Sequence, residues 1–138
     1  MILLDTNVLS ELMRREPDAR VIAWLDAQPP ESVWTTSISV FEARLGLERL
    51  AVGKRRRALE DAFSAMIDED FENRVAVFDR PAAEAAARIA AQRFRAGRPV
   101  DFRDLQIAGI TAARKATLAT RNLRRFDGID LKLVDPWA

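Results

Sequence analysis

With 138 residues, 49% of them hydrophobic and 31% charged, and a formal net charge of +1, the chain has the size and composition of one soluble domain with its own core. It contains no Cys, His or Tyr, which excludes disulfides, thiol nucleophiles, thiolate or imidazole metal sites and the usual serine triad. Any chemistry must run on carboxylates, hydroxyls, amides, Lys and Arg, and oxygen ligands of that kind suit Mg²⁺ or Mn²⁺.

Ile2, Leu3 and Leu4 form an unbroken apolar run that predicts a strand buried on both faces, ended abruptly by Asp5. In parallel sheets reactive groups sit just beyond the carboxyl ends of strands, and a carboxylate that close to a core needs a raised pKa or a cation beside it. Two readings of Asp5 stand at this point: a cap for the short helix begun by Thr6, Asn7 and Val8, or a reactive group. That helix ends near Arg14 and Arg15. Pro17 and Asp18 start a second one with Val21, Ile22, Trp24 and Leu25 on one face, stopped by Pro29 and Pro30.

Ser32 to Thr36 predicts a short strand. Ser39 to Glu42 then reads as a capping box opening a helix with Phe41, Leu45, Leu47 and Leu50 apolar and Gly53 at its end. A helix after a parallel strand begins at that strand's carboxyl end, so Glu42 shares a rim with Asp5 whichever job it does. Lys54 to Arg57, a basic run facing solvent or a partner, leads into a helix with Leu59, Phe63, Met66 and Ile67 on its core stripe. That helix closes on Asp68, Glu69, Asp70 and Glu72, against its dipole.

Val75 to Phe78 predicts the third strand, and Asp79 with Pro81 caps an alanine-rich helix running to Arg95 and stopping at Gly97. Asp101 and Asp104 enter a helix, Leu105 to Arg114, apolar on most faces and therefore central; one aspartate is a cap and the other is spare. Thr117 to Thr120 is a fourth strand that delivers Thr120, Arg121 and Asn122 to its end. Leu123 to Asp127 is a basic turn and Leu131 to Val134 a last strand. Strands alternating with helices predict a three-layer α/β domain, residues 1–138, with a central, mostly parallel sheet of about five strands flanked by helices.

Charge is divided along the chain. Residues 1–72 carry 9 basic and 14 acidic side chains; residues 73–138 carry 13 and 7, most of the excess being Arg. Arg binds phosphate bidentately, so the second half offers a nucleic-acid face. No apolar run approaches ~18 residues and no basic segment precedes the first one, so a cytoplasmic protein is expected.

Asp5, Glu42, Asp104 and Asn122 thus fall on one rim, and three carboxylates there would repel unless one took a proton or a divalent cation sat among them. The pattern Ile2-Leu3-Leu4-Asp5-Thr6-Asn7-Val8-Leu9-Ser10-Glu11, then Ser39 to Glu42, Asp104-Leu105-Gln106-Ile107-Ala108, Ala119-Thr120-Arg121-Asn122 and Val134-Asp135-Pro136-Trp137 resembles the PIN-domain ribonucleases, in particular the VapC and FitB toxins of bacterial toxin-antitoxin pairs. The resemblance covers essentially the whole chain. It implies a Mg²⁺- or Mn²⁺-dependent endoribonuclease in which Asp5, Glu42 and Asp104 are catalytic metal ligands. Thr6, Asn7, Thr120, Arg121 and Asn122 would support the ligands or touch substrate, with Arg121, Arg124 or Arg125 on the RNA backbone. It also implies a homodimer and a small inhibiting antitoxin. Many members carry a fourth acid where this chain has Asn122. Three rival readings are an aspartyl-phosphate-forming phosphatase, whose motif wants an Asp where Asn7 stands, a receiver-type phosphoacceptor at Asp79, which would need paired acids after strand one and a Lys after the last strand, and a catalytically inactive PIN-like binding module.

Overall fold

In the computed structural model, which describes residues 1–138, the chain begins at the centre of a sheet. Strand β1 (Ile2–Leu4) pairs in parallel with β2 (Val33–Thr36) on one side and β4 (Thr117–Ala119) on the other. Strands β3 (Val75–Ala76) and β5 (Lys132–Val134) complete the parallel order β3-β2-β1-β4-β5. Both predicted outer strands are shorter than their apolar runs, and β3 lacks Val77 and Phe78: Val77 is 50% exposed and the chain turns there toward the next helix. Leu3 and Leu4 are fully buried on opposite faces, as an unbroken apolar run requires of a central strand.

One face is covered by α1 (Thr6–Leu12), α2 (Ala19–Asp26), α3 (Ser37–Glu48) and α4 (Lys54–Ala65), whose core gathers Leu4, Val8, Leu9, Val21, Leu47 and Phe63. The other face is covered by α5 (Arg80–Arg95) and α6 (Phe102–Ala113), packed on Leu3, Ala76, Ile107, Ile110, Leu118 and Phe126. No helix is long and apolar enough to cross a membrane. The two cross at Gly109, where a Cβ would stand 2.4 Å from the Ala82 carbonyl oxygen and 2.7 Å from the Ala86 Cβ. That close approach explains why the helix before it is rich in alanine.

Three local expectations are corrected. Thr36, not Ser39, caps α3: its Oγ1 accepts from the Ser39 N–H at 3.0 Å, so the helix starts earlier and no capping box forms. Gly53 precedes α4 rather than ending α3, and Phe41 is 56% exposed rather than apolar core. The acidic segment after α4 winds as a π-helical turn, Met66–Asp70, so the last carbonyls of α4 are met by a wider hydrogen-bonding register before the chain reverses at Asn73.

Candidate active site

The order β2-β1-β4 puts a crevice at the carboxyl end of β1, because chain connections leave that strand's neighbours in opposite directions. Asp5 opens into it from the core. Its side chain has no exposed surface, and both carboxylate oxygens are engaged: Oδ1 accepts from the Thr6 N–H at 2.8 Å, which makes Asp5 the α1 cap, while Oδ2 accepts from Thr120 Oγ1 at 2.8 Å and Arg125 Nη2 at 3.2 Å. Capping and a site role therefore coincide in one carboxylate.

Thr120, fully buried at the end of β4, is the hub that joins the two strands. Besides donating to Asp5, its hydroxyl accepts from Asn7 Nδ2 at 3.3 Å and the Asn122 N–H at 3.2 Å. Asn7 returns the connection through its Oδ1, which accepts from the Arg121 N–H. The pairings of Asn7, Thr120 and the 121–122 backbone hold the two loops that flank Asp5 at one spacing.

Glu42 comes from the first half of α3. Released from the expected bond to Ser39, its Oε1 accepts from Thr6 Oγ1 at 2.9 Å, and its Oε2 lies 3.6 Å from Arg103 Nη1 at the start of α6. Asp104 stands one turn into α6, where Asp101 is the cap: Asp101 Oδ1 accepts from the Asp104 N–H at 3.1 Å. The Asp104 side chain is thereby spare and reaches Arg125 Nη2 at 2.9 Å.

Burial pushes the Asp104 carboxyl up to about 6; Arg125 opposes the rise, and the neighbouring carboxylates Asp101, Asp5 and Glu42 add to it. A site in which the neighbouring carboxylates raise the proton affinity of Asp104 despite the arginine beside it is short of positive charge. All its donors are oxygens, so in chemistry the set fits a hard divalent cation. In the arrangement described, no three acids close on a single point. Asp5 and Asp104 are instead bridged by Arg125, and Glu42 is turned to Thr6 and Arg103.

Of the residues singled out in the sequence, Asp5, Glu42, Asp104, Thr6, Asn7 and Thr120 are brought together at this rim. Arg121 is not aimed at the acids: its guanidinium lies 4.9 Å from the centre of the Trp137 ring, leaving only its backbone in the network. Asn122 is exposed and joins through its N–H alone. The sequence placed Arg125 on the RNA backbone, whereas the structure turns it to Asp5 and Asp104; the pairing of Arg103 with Glu42 had no signal beyond the cluster of arginines in that half of the chain.

Beside Asp104 opens a basic groove of about 490 Å³, lined by Arg93, Arg98, Arg124 and Arg125. On the opposite side of Glu42 a wider groove of about 690 Å³ runs between α1, α3 and α4, bordered by Arg14, Arg15 and Arg55.

Residues 2–131 match the family model described as PIN domain. The chain is 37% identical over 137 residues to the toxin FitB of Neisseria gonorrhoeae, with 99% of each chain covered. It is 36% identical over 137 residues to the VapC ribonuclease Y4jK of Sinorhizobium fredii, covering 99% of this chain and 98% of that one. Among solved structures, FitAB bound to an IR36 DNA fragment superposes with a TM-score of 0.91 at 37% identity, over 100% of this chain and 96% of the other.

Proposed function

The chain belongs to the PIN-domain family, among the VapC and FitB toxins, and from that premise we propose that it is a divalent-metal-dependent endoribonuclease, the toxin of a toxin-antitoxin pair, with Asp5, Glu42 and Asp104 as its catalytic acids. The observation that carries the assignment of residues is that Asp5 and Asp104, 99 positions apart in the chain, converge on a single cationic nitrogen beside Glu42 at the switch point of the sheet. The family's metal dependence is met by the donor set, and its hardness favours Mg²⁺ or Mn²⁺. Bound there, such an ion would make a neighbouring water far more acidic than bulk water and would supply positive charge for the phosphate oxygens.

The chain's own residues do the rest. Thr120 and the Thr6 N–H fix the orientation of the Asp5 carboxylate, and Thr6 fixes Glu42, so two of the three acids are pre-set by hydrogen bonds rather than by side-chain search. Asp104, whose carboxylate is left spare by the Asp101 cap and faces Asp5 across Arg125, is placed to share the cation with Asp5. The basic groove beside it places Arg93, Arg98 and Arg124 along the path of an RNA backbone, and exposed phosphates and splayed bases make single-stranded or looped RNA the fitting substrate.

The groove between α1, α3 and α4 is where an antitoxin segment fits. Arg14, Arg15 and Arg55 border it to meet acidic side chains, and Met13, Ala43 and Leu59 line it for apolar contact, while Phe41 and Leu45, 56% and 37% exposed, lie outside it on α3. Leu47 and Phe63, by contrast, finish the core and are not open to a partner. The function is tested by incubating the purified protein with single-stranded RNA in Mg²⁺ or Mn²⁺ and in chelator. Cleavage that needs the ion and is lost in Asp5→Asn, Glu42→Gln and Asp104→Asn is the expected result; undiminished cleavage in chelator would refute the proposal.

A further inference from the structure

Arg125 holds a place that ordinary surface arginines do not. One nitrogen, Nη2, lies 3.2 Å from Asp5 Oδ2 and 2.9 Å from Asp104 Oδ1, between the two carboxylates. The backbone beneath it is fastened. Phe126 is 1% exposed in the core, and Arg93 Nη2 donates to the carbonyl oxygens of Arg125 at 3.1 Å and of Asp127 at 2.9 Å. Arg98 Nη1 donates to the same Asp127 carbonyl, and its guanidinium lies across Gly128, where a Cβ would come within 2.7 Å of it. Two arginines thus clamp the backbone around the turn Leu123–Phe126, while the Arg125 side chain, 38% exposed, is held by the two acids and, more loosely, over the Phe126 ring 5.8 Å from its centre. Its backbone is fixed and its side chain can leave.

We propose that Arg125 is an internal counter-cation: its guanidinium neutralises Asp5 and Asp104 in the metal-free protein and must be displaced when a divalent cation binds between them. The inference rests on the reading of those two acids as cation ligands. A carboxylate as buried as Asp5 is costly beside a second one without a positive partner. Arg125 therefore lets the site fold without metal, and for the same reason it competes with the metal, because two ion pairs must be broken before an ion can be seated. The displaced guanidinium stays at the mouth of the basic groove.

The test is a calorimetric titration of Mn²⁺ into the intact protein and into Arg125→Gln, Arg125→Lys and Asp104→Asn, with thermal melting of each in chelator and in Mn²⁺. Exposure of the side chain and the Arg93 and Arg98 clamp allow the variants to fold, which a cooperative melt in Mn²⁺ checks. Removing the competing guanidinium should tighten Mn²⁺ binding by about tenfold or more in the Gln variant. The same variant should melt below wild type in chelator and gain more from Mn²⁺, and the Lys variant should remain within about threefold of wild type in affinity. Unchanged or weaker binding by Arg125→Gln, alongside lost binding in Asp104→Asn, would overturn the counter-cation and leave the ligand assignment standing. No Mn²⁺ binding by wild type or by Arg125→Gln would overturn both.

Discussion

Asp101 and Asp104 sit three residues apart at the start of one helix and do opposite work, because the first spends its carboxylate on a backbone N–H and the second turns its own to the crevice. Asp101→Ala should cost about 1 kcal/mol of stability, a typical cap, and leave Mn²⁺ binding intact, whereas Asp104→Asn should abolish binding. Urea unfolding and calorimetry separate the two, and loss of binding in the Asp101 variant alone would reverse the assignment. Asp104 also carries a pH signature. Its carboxyl stands at about 6 in the folded protein against an ordinary 3.8, with burial as the main cause. Between those values the folded state holds the proton more tightly than the unfolded state, so stability falls as pH rises from 3.8 to 6 and stays low above. In chelator that fall is up to roughly 3 kcal/mol, and it should be absent in Asp104→Asn. Unfolding by urea at pH 4 and pH 7 measures it, and equal slopes for the two proteins would contradict the cause given. Among single residues, the acids were legible in the sequence because each follows a strand or opens a helix. Arg125 was named as a backbone contact, but its pairing with Asp5 was not legible, because it joins positions 120 apart and depends on a turn whose course no local pattern sets.

At the level of elements, the crossing of α5 and α6 decides where Asp104 points. Gly109 is open to no side chain: a Cβ would meet the Ala82 carbonyl and the Ala86 backbone N, and those are helix backbone that cannot step aside. Gly109→Ala should therefore push α6 outward, destabilising by about 1–3 kcal/mol as overpacking does, and weaken Mn²⁺ binding with it. Gly46, inside α3 with nothing within 4 Å, gives the opposite result: Gly46→Ala should stabilise by roughly 0.5–1 kcal/mol through helix propensity. Equal effects of the two substitutions would mean that propensity, not the crossing, governs both. Element identity was readable because β1 is apolar without alternation, β2 is made of residues that favour the pleat, and the helices carry an apolar stripe or, in α6, a mostly apolar surface. The start of α3 was misread because Thr36 and Ser39 are both good caps, and the choice between them is made by where β2 stops pairing with β1 and β3. That is tertiary information. It also changed the chemistry, since a capping box would have turned Glu42 to its own helix rather than to Thr6.

For the molecule as a whole, the uneven charge of the sequence becomes geometry. An acidic crevice at the sheet's switch point is flanked by a basic groove on the α6 side and by a second groove, bordered by arginines, on the α3 side. The first suits a polyanion and the second an acidic, amphipathic protein segment. Co-expression with the product of a neighbouring short reading frame should give a complex that elutes as one species and does not cut RNA, and Arg14→Glu with Arg55→Glu should loosen it without removing metal binding. Separate elution with unchanged cleavage would dismiss the antitoxin at that groove. Not all of the expected basic surface is free for this: Arg56 is committed to Glu48 and Glu60 and Arg44 to the same pair, so the run from Lys54 to Arg57 presents fewer charges than it contains. The central claim is hydrolysis of RNA by water activated among Asp5, Glu42 and Asp104, and its most direct measurement is the chemistry of the cut ends. With Mg²⁺ or Mn²⁺, products should carry a 5′-phosphate and a 3′-hydroxyl, because water attacks phosphorus in line. A 2′,3′-cyclic phosphate would mean attack by the ribose hydroxyl and would contradict the account.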